Sequence, residues 1–182
     1  MTDARRKLTA TQLRTRPCRI RLLLCDVDGV LTDGSIYITG EGEFKRFHVH
    51  DGLGQRLVAR AGLKVGWVSA RPSPITTRRA TELKTDFIIQ TRDGKVAAVE
   101  SILAQTGLTW AEACFIGDDL VDLGALRRVG LALTPADGRK EAKAAAHFIT
   151  QATGGNGCVR EVVEMILKAQ GKWATVMAEH SK

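Results

Sequence analysis

The chain reads as an α/β protein with a Rossmann-like parallel sheet covered by helices on both faces. Three observations predict it. From Ile20 onward, short β-rich apolar runs alternate with helical patterns, as in chains that build parallel sheets. Acidic or hydroxyl residues recur just after those runs, where such sheets bind ligands. With 182 residues, 44% hydrophobic and 26% charged, one packed domain is expected, and disordered or low-complexity chains are excluded.

Strands are predicted over 20–25, 63–69, 86–89, 113–116, 130–133 and 147–149, and helices over 53–61, 74–83, 94–106, 120–128 and 139–146. The last helix is the clearest: Val159, Val162, Val163, Ile166 and Leu167 form one apolar stripe, which should pack on the sheet. One segment breaks the alternation. Residues 35–38 and 43–49 flank Thr39-Gly-Glu-Gly42, which predicts a β-hairpin insertion. Two strands alone are marginal in water, so this hairpin must lean on the domain or on another subunit. The expected organisation is a flexible basic leader over 1–18, one domain over 19–170 and a loose tail over 171–182, where the apolar period is lost.

The net charge is +7, and residues 1–21 carry most of it: Arg5, Arg6, Lys7, Arg14, Arg16, Arg19 and Arg21 against Asp3 alone. Without interleaved aromatic residues or a nucleic-acid module, this leader reads as a solvated terminus, and no nucleic-acid partner is expected. No run approaches the ~18 apolar residues of a membrane span, and the leader is too polar for a signal peptide; a cytoplasmic protein is expected. Cys18, Cys25, Cys114 and Cys158 are far apart in sequence and read as reduced thiols.

The residues after the strands converge on phosphate chemistry. Asp26 and Asp28 are two apart, so at an extended strand end both side chains project to one side. Clustered carboxylates repel unless a hard dication neutralises them, and Mg²⁺ suits an all-oxygen set with few protein ligands. Asp118 is the natural partner across the cleft. The hydroxyl of Ser69 and the ammonium of Lys95 can hold phosphoryl oxygens. Singly, each of these residues reads as a cap, a turn or a solvated side chain. Together, in this order, they read as a site. His48 and His50 alternate on the predicted second hairpin strand with no third ligand at useful spacing, and read as solvated.

Cys25-Asp26-Val27-Asp28-Gly29-Val30-Leu31-Thr32 resembles the first motif of the haloacid dehalogenase superfamily, and Ser69, Lys95 and Gly117-Asp118-Asp119-Leu-Val-Asp122 resemble the motifs that follow it. Asp33-Gly34, Asp51-Gly-x-Gly54 and Thr153-Gly-Gly-Asn-Gly-Cys-Val-Arg-Glu161 narrow the resemblance to the capless, tetrameric branch typified by the 3-deoxy-D-manno-octulosonate 8-phosphate (KDO 8-phosphate) phosphatases. The resemblance implies Asp26 as nucleophile, Asp28 as acid and base, and Mg²⁺ held by Asp26, Asp118 and the backbone carbonyl of Asp28. It implies that Asp119 or Asp122 orients Lys95 or a water, and that Arg71, Gly155 and Arg160 contact a sugar-acid phosphate substrate. It also implies a homotetramer built through the 35–49 hairpin, no large cap domain, and a role in lipopolysaccharide precursor synthesis. A nine-carbon sialic-acid-type 9-phosphate is the alternative substrate. Outside hydrolases, the alternatives are a phosphoaccepting receiver domain, in which the acidic pair ends the first strand and the phosphoacceptor follows a later one, and a non-catalytic oligomeric module.

Overall fold

The computed structural model describes residues 15–40 and 42–181. The first fourteen residues of the predicted leader, Glu41 of the hairpin turn and the terminal Lys182 lie outside the described residues.

Strand β1 (Leu22–Cys25) is buried along its whole length because both of its faces are covered. Successive side chains point to opposite faces, so Leu23 and Cys25 enter one core and Leu22 and Leu24 the other. Around β1 the sheet has the order β5-β4-β1-β6-β7-β8, with every pairing parallel. The remaining members are β4 (Lys64–Ser69), β5 (Phe87–Gln90), β6 (Ala113–Ile116), β7 (Leu131–Thr134) and β8 (Phe148–Ile149). On one face lie α1 (Val49–Arg60), α2 (Pro74–Leu83) and α6 (Cys158–Ala169); on the other lie α3 (Lys95–Thr106), α4 (Leu123–Leu126) and α5 (Lys140–Ala145). All five stripe residues of α6 are fully buried, and burying each such side chain contributes about 1.5–3 kcal/mol.

The hairpin consists of β2 (Tyr37–Thr39) and β3 (Gly42–Phe44), shorter than its sequence pattern predicts. Tyr37 and Phe44 are paired across it and stack with ring centroids 4.7 Å apart. The predicted second strand extends to residue 49, whereas the structure turns at His48 into α1, four residues before the predicted helix start. His48 and His50 therefore do not alternate on a strand: His50 is helical, and their rings meet edge to face at 5.0 Å. Asp51, in the first turn of α1, accepts the N–H groups of Gly157 (3.1 Å) and Arg160 (2.8 Å) and so caps α6.

Two further segments differ from expectation. The 120–128 helix splits into a 3₁₀ turn, Leu120–Asp122, followed by α4, because the carboxylates of Asp119 and Asp122 cap a tight turn there. The tail expected to be loose forms a helix, α7 (Trp173–Glu179), after Gly171 ends α6 at φ +69°. Val176 is buried, Trp173 packs against the core, and Lys172 Nζ donates to Ala61 O at 2.8 Å. Two apolar side chains three residues apart suffice to dock so short a helix, too few to show as a periodic pattern. At the other terminus Arg16 donates to Gly130 O at 2.8 Å, so the end of the predicted leader rests on the domain. All four cysteines are free, with Cys25, Cys114 and Cys158 buried. Among the described residues no helix is long and apolar enough to cross a membrane.

Candidate active site

Strand register decides what meets at the sheet's carboxyl edge. Cys25 lies opposite Trp67 of β4 on one side and Ile116 of β6 on the other. Two residues further along the three strands come Val27, Ser69 and Asp118, so positions remote in sequence share one edge. Past the strand the chain reverses sharply, with the N–H groups of Val30, Leu31 and Thr32 all directed at Val27 O. Gly29 makes this turn at φ +92°, and a Cβ there would collide with the Asp118 carboxylate. Both conformation and close approach require glycine.

Asp26, Asp118 and Asp122 each bring a carboxylate oxygen within 4.8 Å of the others. Lys95, at the start of α3 and almost fully buried, reaches into this group, with Nζ 2.7 Å from Asp26 Oδ1 and 2.6 Å from Asp122 Oδ1. Asp122 Oδ2 accepts the N–H groups of Asp118 (2.9 Å) and Asp119 (3.1 Å). Asp122 is thus saturated and clamps both Lys95 and the turn after β6. Asp118 Oδ1, in contrast, is buried with no hydrogen-bond partner.

Burial, reinforced by Asp122, holds Asp26 well above the usual carboxylate range. The same two causes push Asp118 up to about 6. Burial pulls Lys95 down, but Asp26 and Asp122 outweigh it, and its ammonium is held above the ordinary lysine value. With all three carboxylates ionised, one ammonium leaves two negative charges uncompensated. The unpartnered Asp118 oxygen beside Asp26 fits a hard divalent cation with oxygen ligands.

The other predicted residues fall around this centre. Asp28 Oδ1 lies 2.7 Å from Lys45 Nζ, which comes from the hairpin's return to the body. The Ser69 hydroxyl, buried, donates to Arg71 O and accepts from Arg71 N, both at 3.1 Å. Arg71 is ion-paired with Glu43 of β3, whose other oxygen accepts from Ser73 Oγ at 2.8 Å. Asp119 is exposed and caps Leu120 N at 2.7 Å, so the residue that meets Lys95 is Asp122. Gly155 is buried in its own chain, where its N–H donates to Val30 O at 2.9 Å and a side chain would strike Thr32 and Asp33. It buttresses the turn behind Asp26. Arg160 pairs with Glu164 at 2.9 Å and lies 5.5 Å over the Trp173 ring, among the C-terminal helices.

Sequence reasoning missed Lys45 and Glu43. Their only signal was alternating charge on the returning hairpin strand, and local periodicity does not say which way a hairpin folds over a sheet.

Comparison with known proteins agrees with this fold. The haloacid dehalogenase-like hydrolase family matches residues 71–162. The 3-deoxy-D-manno-octulosonate 8-phosphate phosphatase KdsC of Yersinia pestis is 38% identical over 158 residues, covering 86% of this chain and 84% of that protein. The KdsC of Haemophilus influenzae is 39% identical over 154 residues, 84% of this chain and 86% of that protein. Among solved structures, the Moraxella catarrhalis phosphatase of the same name, crystallised with magnesium, phosphate and KDO, superposes with a TM-score of 0.92 at 38% identity, covering 94% of this chain and 99% of that one. A motif set on the expected strand ends, a sheet without a large cap and this degree of identity lead to one assignment: the chain belongs to the haloacid dehalogenase-like hydrolases, in the branch of the KDO 8-phosphate phosphatases.

Proposed function

We propose that this chain hydrolyses KDO 8-phosphate to KDO and phosphate with Mg²⁺ bound, as a step in lipopolysaccharide precursor synthesis. The observation that carries the reading is the trio of buried Asp26, half-buried Asp118 and buried Asp122, with the Lys95 ammonium paired to Asp26 and Asp122 and one Asp118 oxygen unpartnered.

Uncatalysed phosphate-monoester hydrolysis needs an enhancement approaching ~10²¹-fold, whereas general acid catalysis contributes only about 10²–10⁴. Electrostatic positioning and a covalent intermediate must supply the rest. Asp26 and Asp118 with the Asp28 backbone carbonyl would hold Mg²⁺, which neutralises the carboxylates and draws charge from the phosphoryl oxygens. A carboxylate oxygen of Asp26 attacks phosphorus, and the bond from phosphorus to the sugar oxygen breaks. Asp28 gives its proton to that departing oxygen. Water then attacks the aspartyl phosphate while Asp28 takes a proton back, the Asp26–phosphorus bond breaks, and phosphate leaves. Lys95, oriented by Asp122, faces the phosphoryl oxygens, and Ser69 donates a hydrogen bond to them once its hydroxyl turns from Arg71 O.

Arg71 is the proposed contact for the substrate carboxylate, which must compete with Glu43 for the guanidinium. Arg160 is proposed to contact substrate across a subunit boundary, whereas Gly155, buried in its own chain with its N–H on Val30 O, supports the turn behind Asp26 instead. A homotetramer formed through the hairpin accounts for its exposed Ile36, Ile38 and Phe44, with Val49 and Leu53 exposed beside it.

The test compares eight- and nine-carbon ulosonate phosphates with hexose phosphates, with and without Mg²⁺, for the native chain and Asp26→Asn. Metal-dependent turnover that prefers the eight-carbon substrate and disappears in Asp26→Asn is expected. A nine-carbon preference overturns the substrate assignment, and turnover retained by a folded Asp26→Asn overturns the nucleophile.

A further inference from the structure

We propose that Lys45 is a positioning residue for Asp28, so that the hairpin of each chain completes the proton-transfer apparatus of its own active site. The inference rests on the acid and base role given to Asp28 above. Lys45 Nζ donates to Asp28 Oδ1 at 2.7 Å and to Thr76 Oγ1 at 3.1 Å. Its side chain is 2% exposed, whereas that of Asp28 is 28% exposed. A lysine on a hairpin ordinarily keeps its ammonium in water, and burying one is costly unless it is paired. Here the ammonium is buried against the one carboxylate that must handle protons.

The segment carrying Lys45 is tied down on both sides. Before it, Glu43 is bonded to Arg71 and Ser73. After it, Phe47 bridges to Thr32, and its ring stacks on Trp67 at 5.9 Å with Arg79 6.0 Å away on the ring face. The ammonium is therefore held by the fold rather than by its own flexible stem. With Oδ1 of Asp28 engaged by Lys45, Oδ2 is the oxygen left to carry the mobile proton. In the first half-reaction that proton passes to the departing sugar oxygen as the ester bond breaks, and the carboxylate left behind already faces a cation. In the second, the attacking water returns a proton to the same oxygen. Lys45 touches no reacting atom.

The test uses the Mg²⁺-loaded protein and two substrates: KDO 8-phosphate, whose alkoxide must be protonated as it leaves, and p-nitrophenyl phosphate, whose phenolate leaves unprotonated. Lys45→Met is expected to lower kcat/KM for KDO 8-phosphate about 10²-fold, the scale of misplacing a catalytic group by about 1 Å. The loss on KDO 8-phosphate should lie in kcat rather than KM, kcat/KM for p-nitrophenyl phosphate, which reads only the steps up to departure of the phenolate, should be nearly unchanged, and Lys45→Arg should recover much of the activity. A retained kcat/KM for p-nitrophenyl phosphate also reports that the variant is folded. Asp28→Asn should show the same leaving-group dependence more strongly. Equal losses of kcat/KM on both substrates for Lys45→Met, or a loss confined to KM, overturn the inference while leaving the role of Asp28 standing. Absence of the leaving-group dependence in Asp28→Asn overturns the acid role itself, and the inference with it.

Discussion

Replacing Lys95 by Met removes the only cation in contact with the carboxylate cluster among the described residues while nearly preserving side-chain volume. The ammonium makes two short charge-assisted bonds, 2.7 Å to Asp26 and 2.6 Å to Asp122. Bonds of this type each contribute about 1.5–3 kcal/mol, and breaking a buried ion pair costs about 3–5 kcal/mol, so the metal-free variant should lose about 3–5 kcal/mol at pH 8. The sign of the pH dependence follows from the groups involved. Lys95 is held above the ordinary lysine value, so in the native protein its ammonium persists from pH 5 to pH 8. Burial lifts Asp26 and Asp118, and losing the ammonium lifts them further. Carboxylates raised in this way destabilise the fold above their folded-state pKa and release that penalty as pH falls. The deficit of Lys95→Met should therefore shrink at pH 5, and Mg²⁺ at pH 8 should stabilise the variant more than the native chain. Urea denaturation at both pH values, with chelator or with Mg²⁺, measures all of this. A loss equal at pH 5 and pH 8 and indifferent to Mg²⁺ would refute the electrostatic account and make Lys95 a packing residue.

Three further outcomes follow from the same geometry. Gly29→Ala combines the penalty of a positive φ, about 1–3 kcal/mol, with a collision against the Asp118 carboxylate; Mg²⁺ affinity by titration calorimetry should fall together with stability, and unchanged affinity would separate Asp118 from the metal. In the metal-free protein burial and the neighbouring Asp122 push Asp118 up to about 6, so apo stability should decline as pH climbs from the ordinary carboxylate range toward that value; Mg²⁺ affinity should conversely weaken as protons compete below about pH 6. Trp173→Ala should lower stability by about 2–3 kcal/mol, less than for a fully buried Trp, and detach α7; a melting temperature equal to that of the native chain would mean the C-terminal helix is not docked.

Much of this molecule was legible in one dimension because strand and helix periods are local. The sheet's members, the α6 stripe and the carboxylates after β1 and β6 could be read from apolar alternation followed by an acidic residue, since the carboxyl ends of parallel strands must share an edge whatever the order of the strands. Which neighbour each acid meets could not. Asp119 and Asp122 were equivalent candidates until a 3₁₀ turn directed Asp122 at Lys95 and left Asp119 capping Leu120. The hairpin was recognisable as a hairpin, but its side chains find partners through its angle to the sheet, an angle set by Phe47 on Trp67 rather than by any repeat in its own residues. Lys45 on Asp28, Glu43 on Arg71 and the helix after Gly171 are therefore products of tertiary packing: a buried charge or a two-anchor helix is stable only against a surface that distant parts of the chain have already built.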